Sequence, residues 1–246
     1  MELNKIYNED CLATLSRMAD NSVDLVVTSP PYNKGHYADK NARQSDVWNN
    51  LNGRKINYDA YDDDMEPEEY EKWQRTILSE CLRVLKPSGS IFYNHKDIIY
   101  KGLVVVPKWV YDYPLREQII WDRGSSPMID PHYFMPINEW IYWIVKSPKE
   151  TYFDKDKAVF KNNIWRINTD KNPHPAPFPL YLVSNCVLAC CPPPDGIVYD
   201  PFMGSGTTAI AAIDCSVNFI GSEISDNYCK MANDRINLRL SEPPLF

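Results

Sequence analysis

The segment Val23-Asp24-Leu25-Val26-Val27-Thr28-Ser29-Pro30-Pro31-Tyr32-Asn33 constrains this chain most. Val23 to Thr28 is β-branched and aliphatic and too short for a helix, so it predicts a buried strand. Pro30 and Pro31 fix the backbone and remove two N–H donors. Neither a helix nor a sheet ladder continues through them. Pro31 also holds Pro30 extended. The product is a stiff turn at the carboxyl end of a strand, where open α/β sheets bind ligands. The turn offers the Ser29 hydroxyl, the Pro30 carbonyl and the Tyr32 ring. Acceptors of this kind suit the N–H hydrogens of a planar base with an exocyclic amine, while the ring supplies a stacking face. An ordinary strand-to-loop turn with a surface tyrosine has the same tetrapeptide, which does not decide between the two.

A chain of 246 residues is long enough for one α/β domain with a real core. With 44% hydrophobic and 24% charged residues it has an ordinary globular balance. No apolar run reaches membrane-spanning length and the N-terminus lacks a signal-peptide pattern, so the expected location is the cytoplasm. The seven cysteines show no disulfide spacing. Cys186, Cys190 and Cys191 lie at helical spacing among Leu and Val, which predicts core thiols and no metal site. The net charge of −7 argues against a generic nucleic-acid coat protein and leaves charge distribution to decide.

In chain order, Asn4–Asn8 reads as a strand. A helix follows to about Arg17, with Asp10 as its cap. Residues 33–64 have no sustained period. Lys34, Lys40, Arg43, Arg54 and Lys55 are interleaved with Tyr37, Trp48 and Tyr58, the composition of a nucleic-acid contact or of a solvated loop. The acidic run from Asp59 to Glu69, Asp63 included, reads as helix capping. Pro67–Leu85 is an amphipathic helix stopped by Lys86-Pro87-Ser88-Gly89, and Ser90–Asn94 is the next strand. Leu103–Tyr111 is ambiguous, and His95 is assigned no role. Arg116–Asp122 and Asn138–Lys146 read as antiparallel strands. Residues 146–175 form a second basic, aperiodic stretch, with Lys155, Lys157, Lys161 and Arg166 as candidate DNA contacts. Phe178–Cys191 is an apolar helix.

The carboxyl-terminal part reads as a strand (Gly196–Asp200), a Gly204-Ser205-Gly206 turn, a helix (Thr208–Asp214) and a strand (Val217–Gly221) reaching Glu223. A last helix spans about Asp226–Leu240. This is a mononucleotide-binding βαβ half, in which glycines allow close backbone approach and a later carboxylate accepts from ribose hydroxyls. The third glycine of the dinucleotide fingerprint is missing, and no Gly-Lys-Ser/Thr cradles a nucleotide triphosphate. Asp200, a carboxylate before the loop, suits a cationic ligand.

Asp200-Pro201-Phe202-x-Gly204-x-Gly206-Thr207-Thr208, taken with Thr28-Ser29-Pro30-Pro31-Tyr32, resembles the amino-DNA methyltransferases that use S-adenosylmethionine. The catalytic tetrapeptide precedes the cofactor loop, as in their β class. Asn8–Cys11, Leu85–Gly89, His174–Pro179 and Phe219–Glu223 extend the resemblance along nearly the whole chain. It implies a circularly permuted, Rossmann-like α/β fold. Its mixed sheet has seven strands with helices on both faces, in a single catalytic domain with DNA-contact insertions at 33–64 and 146–175.

The resemblance also assigns roles. Asp200, Phe202, Gly204 and Gly206 would line the methionine end of the cofactor, with Ser205 and Thr207 nearby. Glu223 would bind the ribose, Asp10 and Cys11 the adenine, and His174 and Phe178 would flank the cofactor. Ser29, Pro30, Pro31 and Tyr32 would hold a base flipped out of double-stranded DNA. A C5-cytosine enzyme would need a cysteine nucleophile before which Pro stands, and Cys191-Pro192 runs the other way. Serine at the first tetrapeptide position favours N4 of cytosine. N6 of adenine is the alternative, and a catalytically inactive S-adenosylmethionine- and DNA-binding module is a third reading. A homodimer and a cognate restriction endonuclease are partners the resemblance leaves open.

Overall fold

The computed structural model of the chain describes residues 1–37, 61, 63–125, 132, 134, 136–168 and 178–241. Arg43, Arg54, Lys55 and His174 lie outside the described residues. The chain opens with β1 (Lys5–Tyr7), α1 (Cys11–Arg17) and β2 (Val23–Thr28), and α2 (Lys34–Tyr37) follows the proline turn. The Asp10 side chain accepts from Leu12 N at 2.8 Å and so caps α1. In α3 (Pro67–Val84), Pro67 occupies the first turn beside Glu68 and Glu69. Tyr70, Ile77, Leu78, Cys81 and Val84 bury one face of that helix. Then come β3 (Leu85–His95), β4 (Ile98–Tyr100), β5 (Leu103–Val105), a 3-10 turn at Lys108–Asp112, β6 (Leu115–Asp122), β7 (Asn138–Val145) and β8 (Ile164–Arg166). The chain ends with α4 (Leu180–Cys190), β9 (Ile197–Asp200), α5 (Thr207–Asp214), β10 (Asn218–Ser222) and α6 (Asp226–Ser241).

Among the described residues, eight strands form one sheet in the order β1-β10-β9-β2-β3-β7-β6-β8. It is mixed and mostly parallel: β7 alone runs antiparallel to its neighbours β3 and β6. The last strand to be made, β10, lies between β9 and the first, β1, with Ile6 opposite Gly221. The strand order reverses between β9 and β2, which places a topological switch point at the ends of Asp200 and Thr28. All six residues of β2 are buried, as expected for a central parallel strand covered on both faces. One face packs Leu25, Val27 and Phe92 against α4, α5 and α6 through Val183, Val187, Ala211 and Ala232. The other packs Val26, Ile91 and Tyr93 against α1 and α3 through Leu15, Ile77 and Leu78. Each such fully buried aliphatic side chain contributes about 1.5–3 kcal/mol.

Three details differ from the sequence reading. Lys86-Pro87-Ser88-Gly89 does not precede the strand but belongs to it: pairing jumps from Val23–Leu85 to Leu25–Ser90, so these residues bulge out of the ladder. The aperiodic stretch at 146–175 contains an eighth, edge strand, β8, parallel to β6 through Trp121–Trp165. The ambiguous Leu103–Tyr111 divides into β5, which forms a hairpin with β4, and the 3-10 turn. Among the described residues no helix is long and apolar enough to cross a membrane.

The last helix is tied down by a buried ion pair between Arg239 on α6 and Asp214 at the end of α5, with side chains 9% and 3% exposed. Removing one member strands the other charge in the interior. Arg239→Met should therefore cost about 3–5 kcal/mol in urea denaturation at pH 7. An unchanged midpoint would show that α6 is not docked through this pair.

Candidate active site

The carboxyl ends of β9, β10, β1 and β2 frame a cleft, at the place where open α/β sheets bind their ligands. Its floor and walls include Asp10, Cys11, Phe202, Gly204 and Glu223, all expected from sequence, and also Trp73, Tyr61, Ser222, Ile224 and Tyr228, which were not. Ser29 and Pro31 border the same cleft. The cofactor loop and the proline turn thus face one space.

Glu223 is held on both oxygens by backbone N–H groups, from Gly204 at 2.7 Å and Ser225 at 2.9 Å. Burial, only partly offset by these bonds, raises its carboxyl above the ordinary range. Its carboxylate lines the cleft with acceptor capacity beyond these two bonds. Glu223 N donates to Tyr7 O at 3.0 Å, and Asn8 Nδ2 donates to Glu223 O at 3.0 Å, closing the ends of β1 and β10 together. Trp73 meets Phe202 edge-on at 5.6 Å and stacks on Tyr61 at 5.5 Å, forming an aromatic wall. Burial pushes the Cys11 thiol up, so it meets a ligand as a neutral group. A purine-like ring, a ribose and a cationic tail match this donor set: aromatic faces, an oriented carboxylate and acidic surroundings.

Asp200 sits behind the cleft rather than in its lining. Its Oδ1 accepts from Thr28 Oγ1 at 2.8 Å and Phe202 N at 3.0 Å, and its Oδ2 from Thr208 Oγ1 at 2.6 Å. Ser205 and Thr207 are buried. Arg235 Nη1 donates to Ser205 Oγ at 2.9 Å, which ties the loop to α6. Gly206 has a φ of +83°, and a Cβ there would lie 2.9 Å from the Ala232 Cβ, so glycine serves both the turn and the helix contact. Phe178 packs on Trp121 at 6.2 Å and is not among the lining residues.

The proline turn is fastened from outside. Asp63, buried, accepts from Asn33 N at 2.7 Å and Lys34 N at 2.9 Å. The expected helix-capping role for Asp63 is thus replaced by one at the turn. Tyr70 Oη donates to Pro31 O at 2.7 Å and lies 3.0 Å from His95 Nε2. Within the turn, Ser29 Oγ lies 2.8 Å from Tyr32 Oη and donates to Asn94 Oδ1 at 3.0 Å. Tyr32 Oη approaches Asn94 Oδ1 at 2.5 Å and Glu139 Oε2 at 3.2 Å. Asn94 Nδ2 donates to Trp140 O at 3.0 Å, which fixes the amide oxygen as the one facing the hydroxyls. Arg123 Nη1 donates to Glu139 Oε1 at 2.7 Å. Asn94, Arg123 and Glu139 escaped the sequence reading.

Of the expected DNA contacts, Lys34 is half-buried with Nζ 5.1 Å above the Tyr32 ring. Burial, with Lys96 nearby, lowers it to about 8. Arg166, at the carboxyl end of β8, is 80% exposed and pairs with Asp122 at 2.8 Å at the same end of the sheet as the turn. Lys155, Lys157 and Lys161 are not brought there. Tyr152 N donates to Ser88 O and Asp154 N to Ala189 O, both at 2.8 Å, which hold that segment to the amino end of β3 and the end of α4.

The chain matches the family model described as DNA methylase, covering N6 and N4 methyltransferases, over residues 23–234. It belongs to the DNA methylase family. The type II methyltransferase M.BglII of Bacillus subtilis is 32% identical over 268 residues, 94% of this chain and 68% of that protein. The structure of the PvuII DNA methyltransferase (cytosine-N4-specific) superposes with a TM-score of 0.74 at 20% identity, over 96% of this chain and 91% of that one. TTHA0409 of Thermus thermophilus, complexed with S-adenosyl-L-methionine, gives 0.65 at 22% identity, over 98% and 96%. At these identities both structures establish a shared fold.

Burial raises Asp200 to about 6 from an ordinary 3.8, so the folded methylase takes up this proton before the unfolded chain does. The contribution to stability is present below about pH 4 and is lost as pH rises through about 6. Relative to Asp200→Asn, the wild type should lose on the order of 3 kcal/mol over that window in urea denaturation. Asp63 titrates in both proteins and cancels, and Glu223, which the Asp200 charge helps to raise, adds a smaller change of the same sign. Parallel curves would mean that Asp200 is not a buried ionisable group.

Proposed function

We propose that this DNA methylase transfers a methyl group from S-adenosylmethionine to N4 of a cytosine flipped out of double-stranded DNA. The observation that carries the reading is the Ser29 hydroxyl. It is held between Tyr32 and the neutral Asn94 amide at the mouth of the nucleoside-fitting cleft. When bound, S-adenosylmethionine supplies an electrophilic methyl on a sulfonium. Glu223 would bind the ribose hydroxyls, Asp10 and Cys11 the adenine with Trp73 beside them, and Phe202 and Gly204 would line the methionine end, where the glycine lets the backbone come close. Asp200 keeps a negative charge behind the loop and fixes Phe202 N.

The exocyclic amine is a poor nucleophile because its lone pair conjugates with the ring. Ser29 Oγ and the Pro30 carbonyl accept its two hydrogens, turn it toward tetrahedral geometry and aim the lone pair into the cleft. Positioning and acceptor electrostatics do this without a covalent intermediate. Lys34 and Arg166, at the same end of the sheet as the turn, would contact the DNA backbone.

Nucleosides digested from DNA treated with the protein and S-adenosylmethionine, analysed by mass spectrometry, should contain N4-methylcytosine. N6-methyladenine would keep the chemistry and overturn the base, and no methylated base would overturn both. Ser29→Ala should lower the methyl-transfer rate at least about a hundredfold, the scale of a lost acceptor in a preorganised site. Its S-adenosylmethionine affinity, measured by calorimetry, should change no more than a few-fold. Loss of cofactor binding would show that Ser29 belongs to the cofactor site instead.

A further inference from the structure

After methyl transfer the exocyclic nitrogen carries one proton too many, and that proton must leave. Ser29 can accept it only by passing its own proton on. The neutral Asn94 amide oxygen can accept a hydrogen bond but cannot keep a proton. We propose that Glu139 is the terminal proton acceptor of the methylation, reached from the base amine through the Ser29 and Tyr32 hydroxyls. This inference rests on the amino-methyltransferase reading above.

The geometry is continuous. Ser29 Oγ is 2.8 Å from Tyr32 Oη, and Tyr32 Oη is 3.2 Å from Glu139 Oε2, so the relay needs only that the two hydroxyl protons rotate away from the Asn94 oxygen they share. The amine proton passes to Ser29 Oγ, the Ser29 proton to Tyr32 Oη, and the Tyr32 proton to Glu139 Oε2. The base is left as a neutral secondary amine and Glu139 as the acid. Each hydroxyl gains one proton and gives one away, so no charged hydroxyl persists.

The surroundings suit a carboxylate. Glu139 is 6% exposed, and Arg123 holds its other oxygen at 2.7 Å. Lys34 and Lys96 face it electrostatically. The neighbouring acids are engaged elsewhere: Asp122 by Arg166 and Asp97 by Trp140 Nε1 at 3.0 Å. His95, the nearest imidazole to Tyr32 at 4.9 Å between ring centres, is pushed down to about 3 by burial and stays neutral. Strand register makes the contact. Asn94 shares a sheet face with Phe92, and Glu139 shares it with Ile141, while Trp121 pairs with Glu139 across β6.

The test is single-turnover methyl transfer at saturating DNA and S-adenosylmethionine, for wild type, Glu139→Gln, Glu139→Asp, Tyr32→Phe and the Glu139→Gln/Tyr32→Phe double variant. The expected result is a wild-type to Glu139→Gln ratio of about ten or more at pH 7, the lower range for a lost proton acceptor, shrinking toward pH 9 as solvent base takes the proton. Lys34 titrates in that window and Glu139 helps to hold it up, so the ratio is read again on a Lys34→Met background, where the same shrinkage is expected. Glu139→Asp should recover part of the rate. The double variant should be no slower than the slower single one, and calorimetric affinities for S-adenosylmethionine and DNA should stay within about threefold. Equal rates, a pH-independent ratio or multiplied losses in the double variant would overturn the relay. If Glu139→Gln fails to bind S-adenosylmethionine, Tyr32→Phe decides by the same shrinking ratio. Wild-type protein that methylates no DNA would sink the amino-methyltransferase reading itself, whatever the variants do.

Discussion

The Asp200 carboxylate is the interaction on which the rest depends. Residues 172 apart in sequence, Thr28 and Asp200, meet at the switch point through one hydrogen bond. Thr208 and Phe202 N complete the shell, so a carboxylate that is 4% exposed has three donors that offset part of its burial. One of those donors ends the strand that carries the proline turn. The other two belong to the glycine loop and the helix after it. A single buried group therefore sets the spacing between the proline turn and the glycine loop.

The proline turn is built on a different principle. Ser29, Tyr32, Asn94 and Glu139 share hydrogen bonds in a buried polar network, with Arg123 at its end. Such networks hold polar atoms to a single geometry because an unsatisfied member is costly in a dry interior. Two prolines limit the backbone, Asp63 fastens the following amides, and Tyr70 fastens the Pro31 carbonyl. The turn is thus fixed before any substrate arrives, which is what positioning catalysis requires.

Electrostatics on this edge are local. The chain carries a net charge of −7, yet Lys34, Lys96, Arg123 and Arg166 gather where β3, β6 and β8 end. The lysines at 155, 157 and 161 share the composition of a DNA-contact segment but are held at the other end of the sheet by Ser88 and Ala189. Composition counts charges along a chain, and only topology assigns them to a surface.

By itself the sequence determined the parts whose chemistry is local. The Ser29–Tyr32 turn, the Asp10 cap, the glycine loop at 204–206 and Glu223 at the next strand end all follow from proline, glycine and hydrophobic periodicity within a few residues. So did the parallel strands and covering helices, because a run such as Val23–Thr28 has no other stable setting than a buried strand. The tertiary structure decided what depends on register between distant strands. Asn94 and Glu139 are unremarkable in their own segments, and Trp73 reads as helix core. They become part of the site only because β7 runs antiparallel between β3 and β6 and α3 lies across the cleft. Asp63 reads as a helix-capping acid until the chain returns to Asn33 and Lys34. Local patterns fix backbone shape, whereas a buried polar group takes its role from whichever donor folding brings within about 3 Å.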